Sequence, residues 1–267
     1  MNSSVRVPVL RPADVTFLAP IAMRFANLLD RSIEIVTIVS PEDDLRLEHD
    51  RFSAALSALE AQVGHPVAFR IIASDNIASA LIEICRDRIT VMATSASPFD
   101  ETHYVGSFAS ALLAISEAPV ILIGPNVSTN ANFDPERVYV GRSRDVDDVA
   151  SNAAAEAFAH HLDVPVATVT IDPKGIVYEY DYDDERIDRP NEVHASMKRQ
   201  PIDPSQVAKI LADYAATGLL VVSTRATQNL ERICGRSVAM DTIADASSPV
   251  VAVGPHADPA FELARSN

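Results

Sequence analysis

The chain of 267 residues is long enough for two domains, at about 150 residues for each. Its composition, 48% hydrophobic and 22% charged, is that of a globular protein and excludes wholesale disorder. Acidic residues outnumber basic ones 37 to 22, and the net charge of −15 argues against a nucleic acid or an anionic membrane as partner.

Short β-branched runs alternate with helical patterns along the first half of the chain. The predicted strands are 5–10, 33–40, 67–73, 89–94 and 120–123, and the predicted helices are 15–29, 45–62, 76–86 and 106–117. Runs such as VILI at 120–123 are apolar on both faces, which is typical of a parallel sheet covered by helices. Pro20 fits best near a helix start, so we expect the first helix to begin near Ala19. The pattern predicts an α/β fold built from right-handed βαβ units.

The second half of the chain repeats the first. The segment 105–125, VGSFASALLAISEAPVILIGP, matches 235–255, GRSVAMDTIADASSPVVAVGP, at an offset of 130 residues. We therefore divide the chain into a first copy at 1–126 and a second copy at 134–258, joined by a polar linker at 127–133.

The copies begin alike and differ in one region. Their beginnings correspond as RPADV (11–15) and RSRDV (142–146), at an offset of 131, and Asp145 is placed to cap the helix that follows. Where the first copy has a helical stretch, the second has the acidic, tyrosine-containing segment 172–191, which we interpret as a loop with a short strand or hairpin at IVYEYDY. This segment is either a solvated replacement loop or a surface that docks a partner.

The end of each copy reads strand, loop, Gly-Ser, helix, Pro-Val, strand, Gly-Pro, and this order resembles the C-terminal part of universal stress protein domains. The whole chain resembles a tandem universal stress protein. The resemblance implies two Rossmann-like domains, each a five-stranded parallel sheet of order 3-2-1-4-5 with helices on both faces. It also implies an intramolecular domain pair through the last strands, PVILIG and PVVAVG, and it favours a homodimer of the chain. Such pairing would remove two exposed sheet edges.

ATP-binding members of that family carry three spaced glycines after the fourth strand and an Asp at the end of the first. In the first copy the acid position falls on Leu10 or Arg11, and the glycine region is a vestigial site of Ala93, Thr94, Ala96, Gly106 and Ser107. In the second copy the glycine positions hold Ser223, Ala226 and Arg236. Since an alanine methyl keeps backbone amides away from phosphate oxygens, both copies are degenerate as ATP sites.

The candidate ligand site lies in the second copy, where the ends of its first and fourth strands meet. Its residues are Gly141, Arg142, Ser143, Arg144, Thr224, Arg225, Arg236 and Ser237. Arginine forks suit phosphate and carboxylate, so a phosphate-type anion or an adenine nucleotide is the predicted ligand. The alternative is that these arginines are surface charges paired with nearby aspartates.

We find no catalytic triad, paired catalytic carboxylates, phosphate-binding P-loop or metal-ligand spacing in the sequence. The two cysteines, Cys85 and Cys234, are most simply free thiols in a reducing compartment. The sequence has no apolar run of signal-peptide or membrane-spanning length, so the expected location is the cytoplasm. The favoured interpretation is a non-enzymatic stress-response protein with at most weak anion or nucleotide binding. The alternatives are a weak ATP-binding or nucleotide-hydrolysing protein, and a scaffold that docks a partner through 172–191.

Overall fold

The structure is a computed structural model, which describes residues 4–94, 107–128, 134–143, 148–171, 176–181, 200–201, 203, 206–224 and 237–259. Its strands are β1 (Val5–Pro8), β2 (Ile33–Val39), β3 (Ala68–Ala73), β4 (Thr90–Ala93), β5 (Val120–Ile123), β6 (Val138–Ser143), β7 (Val166–Ile171), β8 (Ile176–Asp181), β9 (Gln200–Pro201), β10 (Leu219–Ser223) and β11 (Val250–Val253). Its helices are α1 (Pro12–Leu28), α2 (Leu45–Val63), α3 (Ile77–Cys85), α4 (Ser107–Ile115), α5 (Val149–Leu162), α6 (Val207–Thr217) and α7 (Val238–Asp245).

The described strands form one mostly parallel sheet of order β3-β2-β1-β4-β5-β11-β10-β6-β7-β8-β9. The first five strands have the predicted 3-2-1-4-5 order, and the α/β fold class with helices on both faces is confirmed. The two halves share a single sheet. β5 and β11 are hydrogen-bonded neighbours in antiparallel register, with Leu122 opposite Val250 and Val120 opposite Ala252, so the sheet runs without interruption through both halves.

The second half departs from the predicted five parallel strands at its third strand. β8 runs antiparallel to β7, with Thr170 opposite Tyr178. Only residues 172–175 separate the two strands, whereas a crossover to a parallel strand needs a dozen or more residues. The expected strand in IVYEYDY is confirmed as β8, and residues 182–191 of the acidic segment lie outside the described residues.

Two helix starts also differ from expectation. α1 begins at Pro12, and the first position of a helix is one that proline favours. The helix then continues through Pro20. The proline ring costs one internal hydrogen bond, but Ala19 and Ile21 on either side are buried against the sheet and hold the helix in place. α5 begins at Val149 and its N-cap is Asp148, whose side chain accepts from the Ala150 N–H, so Asp145 is not its cap.

Each face of the sheet carries one hydrophobic core, and each core extends through both halves. On one face α1, α2 and α5 cover the sheet, and Phe25 of α1 meets Phe158 of α5 edge to face at 6.1 Å between ring centroids. On the other face Leu122 of β5 and Val250 of β11 belong to a single buried cluster with residues of α4, α6 and α7. The halves are thus joined by shared cores as well as by strand pairing.

Two glycines allow the helices of one half to lie directly on the strand end of the other. A Cβ added at Gly254, after β11, would overlap the carbonyl oxygen of Leu113 in α4, and one at Gly124, after β5, would overlap that of Ile243 in α7. The contacts are reciprocal, and each involves backbone that cannot move aside cheaply. This explains the glycine at the end of each copy.

We expect Gly254→Ala to lower the free energy of unfolding by about 3 kcal/mol, because the new methyl group must displace the end of α4. Gly64→Ala is the matched control. Gly64 has a φ of 77° but nothing within 4 Å of an added Cβ. The substitution should therefore lower the free energy of unfolding by about 1 kcal/mol, because alanine disfavours the left-handed conformation. Urea unfolding followed by circular dichroism measures both; equal losses would contradict the close packing at Gly254.

Candidate functional site

A cavity of about 300 Å³ opens at the carboxyl ends of β1 and β4. This is the point in the first half where the strand order reverses, the usual ligand position in open parallel sheets. Its lining residues are Pro8, Val9, Leu10, Asp14, Leu18, Ile77, Ala78, Leu81, Met92, Ala93, Thr94, Phe108 and Ala109. The volume is at the lower end of the range for small-molecule sites.

The cavity is built from the ends of two neighbouring strands and the beginnings of three helices. β1 leads through Leu10 into α1, the turn after β3 leads into α3 at Ile77, and Phe108 lies in the first turn of α4. Leu10 and Ile77 line this cavity although 45% and 42% of their surface is exposed. Large apolar side chains that remain this exposed, both on one cavity, indicate a surface that a ligand can cover.

Asp14 occupies the N-terminal end of α1. Its Oδ2 accepts hydrogen bonds from the backbone N–H groups of Leu10 (3.0 Å) and Arg11 (2.9 Å), and its Oδ1 accepts from the Arg11 guanidinium at 3.3 Å. This is one half of a capping box, in which the third helical residue reaches back to the N-cap. The helix end favours an anion, and the chain supplies that anion itself.

Two further groups beside the cavity are bonded within the chain. Asn76 caps α3 by accepting from the Ser79 N–H at 3.0 Å. The N–H of Thr94 donates to the carbonyl oxygen of Ile123 at 3.0 Å. The first-half crevice therefore presents mainly carbon to a ligand.

The vestigial first-copy site coincides in part with this cavity. Ala93 and Thr94 line it, Ser107 begins α4, and Ala96 and Gly106 lie outside the described residues. Sequence analysis missed the apolar lining: Leu10, Leu18, Ile77, Leu81, Met92 and Phe108. The available signal was large aliphatic residues placed just after strands, where polar turn residues are usual.

The second-half site predicted from sequence is described only in part. Arg144, Arg225 and Arg236 lie outside the described residues. The structure brings the ends of β6 and β10 side by side, because Gly141 pairs with Val222, and this places Arg142, Ser143 and Thr224 at one edge. The remaining member, Ser237, is the N-cap of α7. The Nε of Arg142 donates to Oγ1 of Thr170, on the neighbouring strand β7, at 3.5 Å.

The strands beside the two crevices carry different residues at corresponding positions. Arg6 pairs with Thr90 and Tyr139 with Leu220, so Gly141 corresponds to Pro8 and not to Leu10 as the 131-residue offset predicts. A Cβ at Gly141 would lie 3.1 Å from Cδ2 of Leu211, which shows that α6 packs against the bare backbone there. In the first half, the corresponding residue, Pro8, lines the cavity.

Cys85 is buried at the end of α3, and burial raises the pKa of its thiol to about 11. The thiol is protonated at neutral pH, as expected for a structural cysteine, and Cys234 lies outside the described residues. The described residues contain no group of three or more His, Cys, Asp or Glu side chains that could hold a metal ion. None of the helices in the described ranges is long and apolar enough to cross a membrane.

Tyr214 ties the β8 hairpin to α6. Its hydroxyl donates to Oε2 of Glu179 on β8 at 3.0 Å, and its ring contacts Tyr139 with centroids 4.9 Å apart. Burial, followed by the charge and the hydrogen bond of Glu179, raises the pKa of the Tyr214 phenol. This hairpin replaces in the second half the helix and parallel strand of the first.

Comparison of the sequence with models of protein families finds no match, and neither does comparison with curated proteins. Solved structures are similar in fold. A universal stress protein from Archaeoglobus fulgidus DSM 4304 has a TM-score of 0.56 at 14% sequence identity, covering 94% of this chain and 97% of that one. A functionally unknown protein from Pseudomonas aeruginosa PAO1 has a TM-score of 0.57 at 12% identity, covering 96% and 94%. The chain therefore has the fold of a universal stress protein structure.

We expect Asp14→Ala to lower the free energy of unfolding by about 2 kcal/mol, because two backbone N–H groups lose a charged acceptor. Asp50→Ala, an exposed position on α2, is the control and should change stability by less than about 0.5 kcal/mol. Denaturant titration of both variants is the measurement, and an Asp14→Ala loss no larger than the control's would show that the carboxylate does not hold the start of α1.

Proposed function

We propose that the protein is a non-enzymatic, tandem universal stress-type protein of the stress response, which binds a small molecule in its first-half crevice. The observation that carries the binding function is the cavity of about 300 Å³ at the reversal of strand order between β1 and β4. The fold likeness to a universal stress protein structure supports the stress-response role.

The tandem arrangement is supported by the repeated strand order. β2-β1-β4-β5 in the first half and β7-β6-β10-β11 in the second are the same arrangement, and they meet at the antiparallel β5–β11 ladder. We propose that 1–126 and 134–258 are two such domains, paired within one chain through these strands.

The absence of catalysis is supported by the chemistry of the cavity. Asp14 is the one ionisable side chain among the described lining residues, and both its oxygens accept hydrogen bonds from the chain. A general base needs a lone pair aimed at the proton it removes. Cys85 lies beside Thr90 at the other end of β4, away from the cavity, and its thiol, with its pKa of about 11, is no nucleophile at neutral pH.

A second candidate function is anion binding in the second-half crevice. Arg142 lies at the end of β6, half-buried and beside Thr170. With Arg144, Arg225, Arg236 and Ser237, which the sequence places at the ends of neighbouring elements, it would bind a phosphate-type anion or an adenine nucleotide. Arginine forks are suited to such ligands.

Thermal unfolding with a ligand panel tests these functions. The panel contains phosphate, AMP, ATP and uncharged small molecules, and it is applied to the native protein, Ala78→Phe and Arg142→Ala. Ala78 is exposed and lines the cavity, so a phenyl ring at this position fills it. We expect at least one ligand to raise the Tm of the native protein and of Arg142→Ala but not of Ala78→Phe.

The panel also separates the alternatives. A stabilisation that Arg142→Ala abolishes favours the anion site, and release of phosphate from ATP would mark an enzyme. No response to any ligand would contradict both binding functions and leave the scaffold, in which the segment 172–191 docks a partner.

Separately expressed halves test the tandem pairing. Because both cores extend through both halves, 1–126 and 134–258 should associate with each other or aggregate. Analytical ultracentrifugation of each half and of their mixture measures this. Halves that remain folded monomers at high concentration, alone and mixed, would contradict the proposed pairing.

A further inference from the structure

The lining of the first-half cavity identifies the class of ligand that fits it. Eleven of its thirteen described lining residues are apolar, and the two polar ones are Asp14 and Thr94. The carboxylate of Asp14 is already bound at both oxygens, and the N–H of Thr94 donates to the neighbouring strand β5. No lysine or arginine stands among the described lining residues.

A phosphorylated ligand does not suit this surface. The phosphate groups of a nucleotide need cationic side chains or unoccupied backbone amides. Here Asp14 accepts from the backbone N–H groups of Leu10 and Arg11, just before α1, and its carboxylate beside the cavity opposes a phosphate, while Asn76 caps α3. The cavity is also poor in partners for water, which needs two to four polar contacts to be held.

The size of the cavity limits the ligand. A hydrocarbon-lined cavity of about 150 Å³ is known to admit benzene, so about twice that volume accommodates two fused rings. The exposed side chains of Leu10 and Ile77 line the same cavity, and a bound ligand would remove part of their apolar surface from water.

The cavity that the described residues form lies in the first half. At the corresponding position of the second half, Leu211 packs on Gly141. We therefore infer that the protein binds one small, uncharged, apolar molecule of two-ring size per chain, in the first-half cavity. This inference rests on the binding function proposed above and specifies its ligand class.

The probe for this inference is 1-aminonaphthalene, which is uncharged at neutral pH and emits more strongly in apolar surroundings. It is titrated against the native full-length chain, Ala78→Phe and the matched control Ser79→Phe. Ser79 is exposed on the same turn of α3 but does not line the cavity, so its ring adds apolar surface without filling the site. Ala93→Leu, at the end of β4, is a second filling variant should Ala78→Phe fail to fold.

We expect one bound probe per chain in the native protein and in Ser79→Phe, with affinity at least tenfold lower in Ala78→Phe or Ala93→Leu, and no displacement by ATP. Equal binding by the native and filled variants would overturn the inference, because the probe would then bind elsewhere. If AMP or ATP stabilises the native protein but not Ala78→Phe, and 1-aminonaphthalene does not bind, the apolar class is wrong while the binding function stands. If neither the probe nor any ligand of the panel binds, the apolar ligand class and the proposed binding function are both wrong.

Discussion

The antiparallel pairing of β5 with β11 is the contact on which the rest of the structure depends. It turns two parallel sheets into one, and it brings the last helix of each half over the strand end of the other. Gly124 and Gly254 are the consequence, since each lies against a helix carbonyl where a side chain has no room. Because the joint is antiparallel, the carboxyl ends of the strands point to opposite edges in the two halves. The two crevices therefore lie at opposite edges of the sheet and have no shared ligand.

The two halves are nearly symmetric in strand order, but side chains pack differently beside their crevices. Pro8 and Gly141 hold corresponding places at the strands beside each crevice. Pro8 lines the first-half cavity, whereas Leu211 of α6 packs against the bare backbone of Gly141. In the second half α6 is also held by the Tyr214–Glu179 hydrogen bond to the β8 hairpin.

The charge beside the first-half crevice also disfavours a phosphorylated ligand. Asp14 places a carboxylate where an incoming phosphate would meet the start of α1, and its bonds to Leu10 and Arg11 use the donors that such a ligand would need. Ala93 and Ala96 stand at the positions where the resemblance to universal stress proteins would place glycines of an ATP-binding loop. Together with the Asp14 carboxylate, they support the proposal of an apolar ligand over a nucleotide in the first-half crevice.

The sequence by itself determined the α/β class and most strand and helix positions of the first half, because periodicity and β-branched runs act locally and VILI at 120–123 is apolar on both faces, as in a covered strand. It could not determine that α1 runs through Pro20, since this depends on burial against the sheet. It indicated a strand in IVYEYDY but not the direction of that strand. It pointed to a site at the arginines of the second half, because charged residues can be identified from a sequence whereas a cavity cannot. The cavity was decided only in the tertiary structure. It exists because Leu10, Ile77 and Phe108, far apart along the chain, border one space at the ends of β1 and β4.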